Sequence, residues 1–130
     1  MTDTQRLNYL RIALVLVGIT SIGLYPLMIV WPDGWVWHTG HSEYPLMIVG
    51  MYATLGVFLI FAALNPLAHL SLIWFAVWSS VVHGGIMAGQ ALMNTPYRGH
   101  LRGDVPALLL AALVLGLLTP RGDKARFLRE

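Results

Sequence analysis

Apolar and polar positions fall in long blocks along this chain. Residues 10–30 form an apolar run broken only by Arg11, small residues and Pro26; further runs cover 44–64, 67–93 and, more briefly, 105–118. A helix needs about 20 apolar residues to cross a ~30 Å hydrocarbon core. The pattern therefore predicts an all-α membrane protein, a bundle of four transmembrane helices at about residues 7–31, 43–64, 67–93 and 104–119. The polar breaks become outer loops 32–42 and 94–103, a short turn at Asn65-Pro66 and a tail over 120–130.

The ends of the runs carry local signals. The first is too long for a signal-peptide core and ends in bulky Met28, Ile29, Val30 and Trp31, so it is expected to remain as an anchor. Pro26 leaves room for a kink, and Pro32-Asp33-Gly34 has turn chemistry. Ser42 is a good helix cap, with Glu43 in the first turn and Pro45 early enough to be tolerated. Asn65-Pro66 is short enough to fold the third helix straight back on the second. Asp104 can cap the fourth helix. Its apolar stretch of fourteen residues reaches only ~21 Å, but it has no polar face and would lie poorly on a membrane surface. It is expected to span, with local bilayer thinning or a snorkelling Arg121.

Composition agrees: the chain of 130 residues is 57% hydrophobic and 11% charged, with a mean hydropathy of +0.67, against about 25% charged for soluble domains. One domain is expected. The net charge of +2 does not point to nucleic acid, because the basic residues flank the apolar runs. Arg6, Arg11, Arg121, Lys124, Arg126 and Arg129 lie in or beside the two tails, and Arg98 and Arg102 in one connection. The positive-inside rule then places both termini in the cytoplasm, which requires an even number of spans. Trp31, Trp35 and Trp37 are expected as an outer aromatic belt. The hexapeptide YPLMIV occurs at 25–30 and again at 44–49, on helices of opposite direction, so it marks equal depth for Tyr25 and Tyr44 rather than a repeat architecture.

Without cysteine, any metal would need His, carboxylate or Met. His38, His41, Glu43 and His100 are candidate ligands for zinc or copper on the outer face, next to Asp33 and Asp104. Met28, Met47, Met51, Met87 and Met93 all map to outer halves of helices, where thioethers would suit Cu(I). The competing explanations are ordinary interfacial polarity and gap-filling by Met. Inside the third apolar run, His83 is costly and so a candidate functional group. His69 precedes it by fourteen residues, which on a helix returns to within ~40° of the same face, ~21 Å away. The alternative is one interhelical hydrogen bond from His83 to a Ser, a Tyr or Gln90, with His69 at the cytoplasmic interface. Ser80, Gly84, Gly85, Ala88 and Gly89 form a small-residue stripe that would admit a neighbouring helix or a flat ligand. Hydrolase, zinc-protease and phosphate-loop signatures are missing, and the spans hold no acidic pair.

Two resemblances bear on these residues. The pair His69 and His83 resembles the paired haem-ligand histidines on the membrane helices of cytochrome b, with Gly84-Gly85 as space for a porphyrin. Cytochrome b uses two such helices, so haem b here would need a second copy of the chain or a partner such as Met51. The run HSEYPLMIVGMYATLGVFLIFAALNPLAHLSLIWFAVWSSVVHGGIMAGQAL, residues 41–92, resembles an uncharacterised family of small bacterial four-helix membrane proteins known only as a domain of unknown function. That resemblance implies a bacterial inner-membrane setting and four spans, and supplies no activity. The expectation is a non-catalytic inner-membrane subunit, homo-oligomeric or part of a larger complex, holding haem b or a transition metal. The rivals are a structural or accessory protein binding only lipid and protein partners, and a membrane redox enzyme.

Overall fold

A computed structural model describes residues 1–37 and 43–121. His38 and His41 lie outside the described residues, as does the tail beyond Arg121 with its three basic side chains. Helix α1 (Asp3–Ile22) starts earlier than the hydropathy suggests, because Thr2 and Gln5 form a reciprocal capping box that satisfies two otherwise unpaired amides. It is followed by α2 (Leu24–Val30) and a one-turn α3 (Pro32–Trp35). Helix α4 (Tyr44–Leu64), a 3-10 turn (Pro66–His69), α5 (Leu70–Met93), a 3-10 segment (Thr95–Arg102) and α6 (Asp104–Leu118) complete the order.

The first apolar run is not one straight helix. α1 and α2 meet at Gly23 with a bend of 60°. Pro26 explains the position, since a proline ring clashes with the carbonyl four residues earlier, here that of Ile22. At the other end of the chain, the expected loop 94–103 is helical and meets α6 at 41°. α4 and the helical stretch Pro66–Met93 are each long and apolar enough to cross a membrane, and each bent pair adds a further candidate, giving two to four spans. Only 22% and 28% of the most apolar windows of the two long helices are buried inside the protein. Phe58, Phe61, Phe75, Trp78, Ile86 and Leu113 face outward, a surface suited to hydrocarbon rather than water.

Packing departs from simple chain order. α1 lies along α4 and α5 along α6, whereas the sequential neighbours α4 and α5 touch over a much shorter length. The close fold-back expected at Asn65-Pro66 is thus loosened into a splayed pair, its turn taken by the 3-10 stretch around buried Pro66. Glycine decides the α1–α4 pairing. A Cβ on Gly18 would stand 2.7 Å from the Gly56 carbonyl oxygen, and one on Gly56 would stand 2.5 Å from that of Gly18, so the two backbones cross in direct contact. Toward the Pro66 end, Leu10, Leu14, Leu59, Ile73, Ala76 and Leu115 build the shared core. There Arg6 donates to the carbonyls of Leu118, Leu117 and Thr119 at 2.9, 2.8 and 3.2 Å. A cation placed on these unpaired carbonyls complements the negative end of the α6 dipole and ties the first helix to the last.

Replacing Gly56 by Val is expected to destabilise the bundle by about 1–3 kcal/mol through overpacking, read from denaturant unfolding in mixed micelles. Gly85→Val, with open space in front of its Cα, is expected to stay within about 0.5 kcal/mol of the parent.

Candidate functional site

Two polar clusters stand out, a largely buried one beneath the cap formed by α3 and the 3-10 segment, and a half-buried one between α4 and α5. The cap closes because glycines let backbones meet: a Cβ on Gly99 would collide with the Asp33 carbonyl, and one on Gly103 with that of Gly34. This contact seats the Pro32-Asp33-Gly34 turn on the 3-10 segment and brings Val36 and Trp37 over His100.

His100 is 2% exposed and Asp104 6%. The imidazole Nδ1 lies 3.1 Å from each carboxylate oxygen of Asp104, and Nε2 lies 3.1 Å from the Val36 carbonyl oxygen. Trp37 Nε1 donates to Asp104 Oδ2 at 2.6 Å, and its ring stacks on the imidazole with centroids 3.9 Å apart and planes 28° apart. Tyr97 packs against Trp37 at 5.1 Å. These contacts fix the proton count. A carbonyl oxygen only accepts, so Nε2 must carry a proton, and one further proton lies between Nδ1 and the carboxylate. The shared proton joins the imidazole to the carboxylate, whose Oδ2 also accepts from the indole. Removing the shared proton would set two lone pairs against each other at one side of the ring.

The cap position of α6 differs from the expected one. Asp104 is the first residue of α6, with Gly103 in the cap position; its carboxylate still accepts from the Val105 amide. Trp37 is drawn inward as a donor instead of standing in a belt. Both nitrogens of His100 are engaged, so a metal would have to displace the Asp104 or Val36 bond. Of its three expected co-ligands, Glu43 is described, and no three His, Asp or Glu side chains converge among the described residues. Asp33, Val36, Trp37, Tyr97 and His100 help line a cleft of about 450 Å³. Trp35 Nε1 is buried without a partner among the described residues.

In the second cluster, Tyr52 Oη lies 2.5 Å from His83 Nδ1, the rings 5.8 Å apart. The interhelical partner of His83 is therefore a tyrosine of α4. Tyr52 sits one turn above Gly56 on the inward face of α4, a position that hydropathy reads only as part of the apolar run. His69 is exposed and ends the 3-10 turn as the N-cap of α5, so the α-helical phase assumed between it and His83 does not extend to it. The small-residue stripe divides. Gly84 packs on Leu108 and Leu109 of α6, with 3.1 Å from a built Cβ to Leu109, while Gly85 and Gly89 have nothing within 4 Å. Ser80 and Ala88 are half-buried. Of the expected copper ligands, Met87 is buried in the interior, Met47, Met51 and Met93 are exposed, and Met28 is half-buried.

The chain belongs to a family of unknown function, DUF6632, whose model matches residues 4–126, all of the helices described above but the first residue of α1. No curated protein and no solved structure matches it.

Asp104→Asn is expected to cost about 1–3 kcal/mol, because it impairs the one group that pairs both the buried His100 Nδ1 and the Trp37 indole. Trp37→Phe removes one bond to a charged group and is expected to cost about 1.5–3 kcal/mol. Both effects should register as faster amide hydrogen exchange at Val36 and Gly103, with the amides of α1 and α4 unchanged.

Proposed function

We propose that this is a bacterial inner-membrane protein of four spans, both termini cytoplasmic, acting as a non-catalytic subunit that associates with copies of itself or with a larger membrane complex through α5. The observation that carries this reading is the division of the glycines. Gly18, Gly56 and Gly84 are consumed by contacts within the chain, whereas Gly85 and Gly89 open outward among exposed Trp78, Val82 and Leu92. In lipid, helices associate through close packing rather than hydrophobic burial, and glycine is what allows two backbones to approach. The four-span count takes each bent pair as one span. The orientation rests on the six basic residues in or beside the tails against Arg98 and Arg102.

A second reading, haem b on His83, is favoured by one feature. The Tyr52 hydroxyl fixes Nδ1 and leaves Nε2 as the nitrogen able to bind iron, an orientation that outer hydrogen bonds commonly impose on metal-binding histidines. Against it, Leu108 and Leu109 occupy the space at Gly84, and His69 stands outside the helical phase of His83. Copper or zinc on the outer face depends on His38 and His41 and is tested on the same sample.

The double variant Gly85→Leu/Gly89→Leu is expected to reduce the assembly size counted by single-molecule photobleaching in liposomes, with helical content and melting unchanged. A parent protein that is already monomeric and binds no membrane partner would sink the association reading. The purified protein is expected to lack a Soret band and stoichiometric metal; a band abolished by His83→Ala would replace this reading with the haem one. A reporter fused after Glu130 is expected to report from the cytoplasm.

A further inference from the structure

Two guanidinium groups line one cavity where the start of the first helix meets the end of the last. Arg6 of α1 and Arg121, just beyond α6, enclose it with Gly116 and Leu117, and it holds about 220 Å³, several times the ~30 Å³ share of a water molecule. No acidic side chain is among the described residues that line it. Arg6 turns Nε and Nη2 to the carbonyls of Leu118, Leu117 and Thr119. Among the described residues these bonds use three of its five N–H donors, and the two of Nη1 remain for another acceptor. Arg121 gives one N–H to the Gly116 carbonyl at 3.5 Å, and its guanidinium carbon lies 5.2 Å from the centre of the Trp74 ring. That cation–π contact steadies the group without consuming its donors.

Capping α6 requires one cation, and Arg6 already answers three of the last carbonyls. A second guanidinium on the wall of the same cavity is repelled by the first, and beside an apolar surface such repulsion is weakly screened. An anion between the two replaces the repulsion with charge-assisted hydrogen bonds, and the planar fork of arginine matches a phosphate. Leu117 is at once a wall of this cavity and the first residue of an apolar track. It is exposed, as are Leu113 and Leu110, which stand four and seven positions before it on the same side of α6. A charged recess and a hydrocarbon-facing track therefore adjoin at one residue.

We infer that this cavity binds the phosphate of an anionic phospholipid between Arg6 and Arg121, one molecule per chain, with an acyl chain along Leu117, Leu113 and Leu110. From the reading above it takes only that α1 and α6 meet a membrane surface at this end; the association through Gly85 and Gly89 plays no part in it. Basic pockets between membrane helices hold anionic headgroups by this chemistry. A zwitterionic lipid offers the same phosphate but carries a cation that the two arginines repel, so the site selects net negative charge. Bound there, the lipid adds a second tie between the first helix and the last beside the Arg6 bonds.

The test is native mass spectrometry of the full chain released from detergent micelles, with phosphatidylglycerol, phosphatidylcholine or soluble glycerol 3-phosphate added in turn. One phosphatidylglycerol per chain is expected to stay bound, with an affinity about tenfold or more above that of phosphatidylcholine. Glycerol 3-phosphate at the same concentration is expected not to displace it. Arg121→Gln, which leaves the Arg6 bonds in place, is expected to weaken phosphatidylglycerol binding about fivefold, the share of one basic residue. Arg102→Gln, exposed at the other end of α6, is expected to leave it unchanged, and circular dichroism checks that both variants keep their helices. Equal affinity for the two lipids, no loss in Arg121→Gln, or the same loss in both variants would overturn the site. Displacement by glycerol 3-phosphate would overturn the lipid as its occupant in favour of a free phosphate anion. The reporter position and the assembly size are read separately, so failure here leaves the four-span subunit standing.

Discussion

A polar atom buried in a protein whose outer surface is itself apolar has no solvent to turn to, and the tertiary arrangement of this chain follows from where such atoms find partners. An unpaired buried donor or acceptor costs a few kcal/mol in protein and more in hydrocarbon. Arg6 answers the last carbonyls of α6, Asp104 answers His100 and Trp37, and Tyr52 answers His83. The Arg6, Trp37 and Tyr52 bonds each join segments distant in sequence, while His100 and Asp104 meet across the junction between the 3-10 segment and α6. Together they tie the first helix to the last, the cap to the head of α6, and α4 to α5 where backbone packing between those two is sparse.

Glycine supplies the complementary constraint. Apolar side chains alone cannot specify which helix faces which when lipid is as good a neighbour as leucine. The crossing of Gly18 with Gly56 selects α4 as the partner of α1, and the seating of Gly99 and Gly103 under the Pro32–Trp35 turn selects the cap geometry. A Cβ at any of these positions meets backbone, which cannot yield as a flexible side chain would. The cap is therefore held twice, by the steric fit of its glycines and by an aromatic-stacked hydrogen-bond network.

That network joins three residues that a linear reading keeps apart. His100, Asp104 and Trp37 were each conspicuous in the sequence, as a metal ligand, a helix cap and a belt residue. The spacing of four between His100 and Asp104 could have signalled a pair, but the intervening Gly103 is a junction between a 3-10 segment and an α-helix, where helical spacing is not a reliable guide. Trp37 lies more than sixty residues from both, and no local pattern connects it to them. The same holds for Tyr52, which stands inside an apolar run and has a role only because α5 brings His83 to it.

What the sequence determined by itself was the helical class, the membrane-compatible hydropathy, the approximate ends of the apolar runs and the family, because these depend on composition and on signals within a few residues. It also marked His83 as unusual, since an imidazole is costly wherever an apolar helix carries it. Pro26 also signalled a bend in the first run. Tertiary structure alone decided the pairing of α1 with α4 in preference to α4 with α5, the division of the glycine stripe into a filled side and an open one, and the joining of Trp37 to Asp104 and His100. These are outcomes of close backbone approach and of pairing buried polar atoms across long sequence distances, and both are settled only when the helices meet.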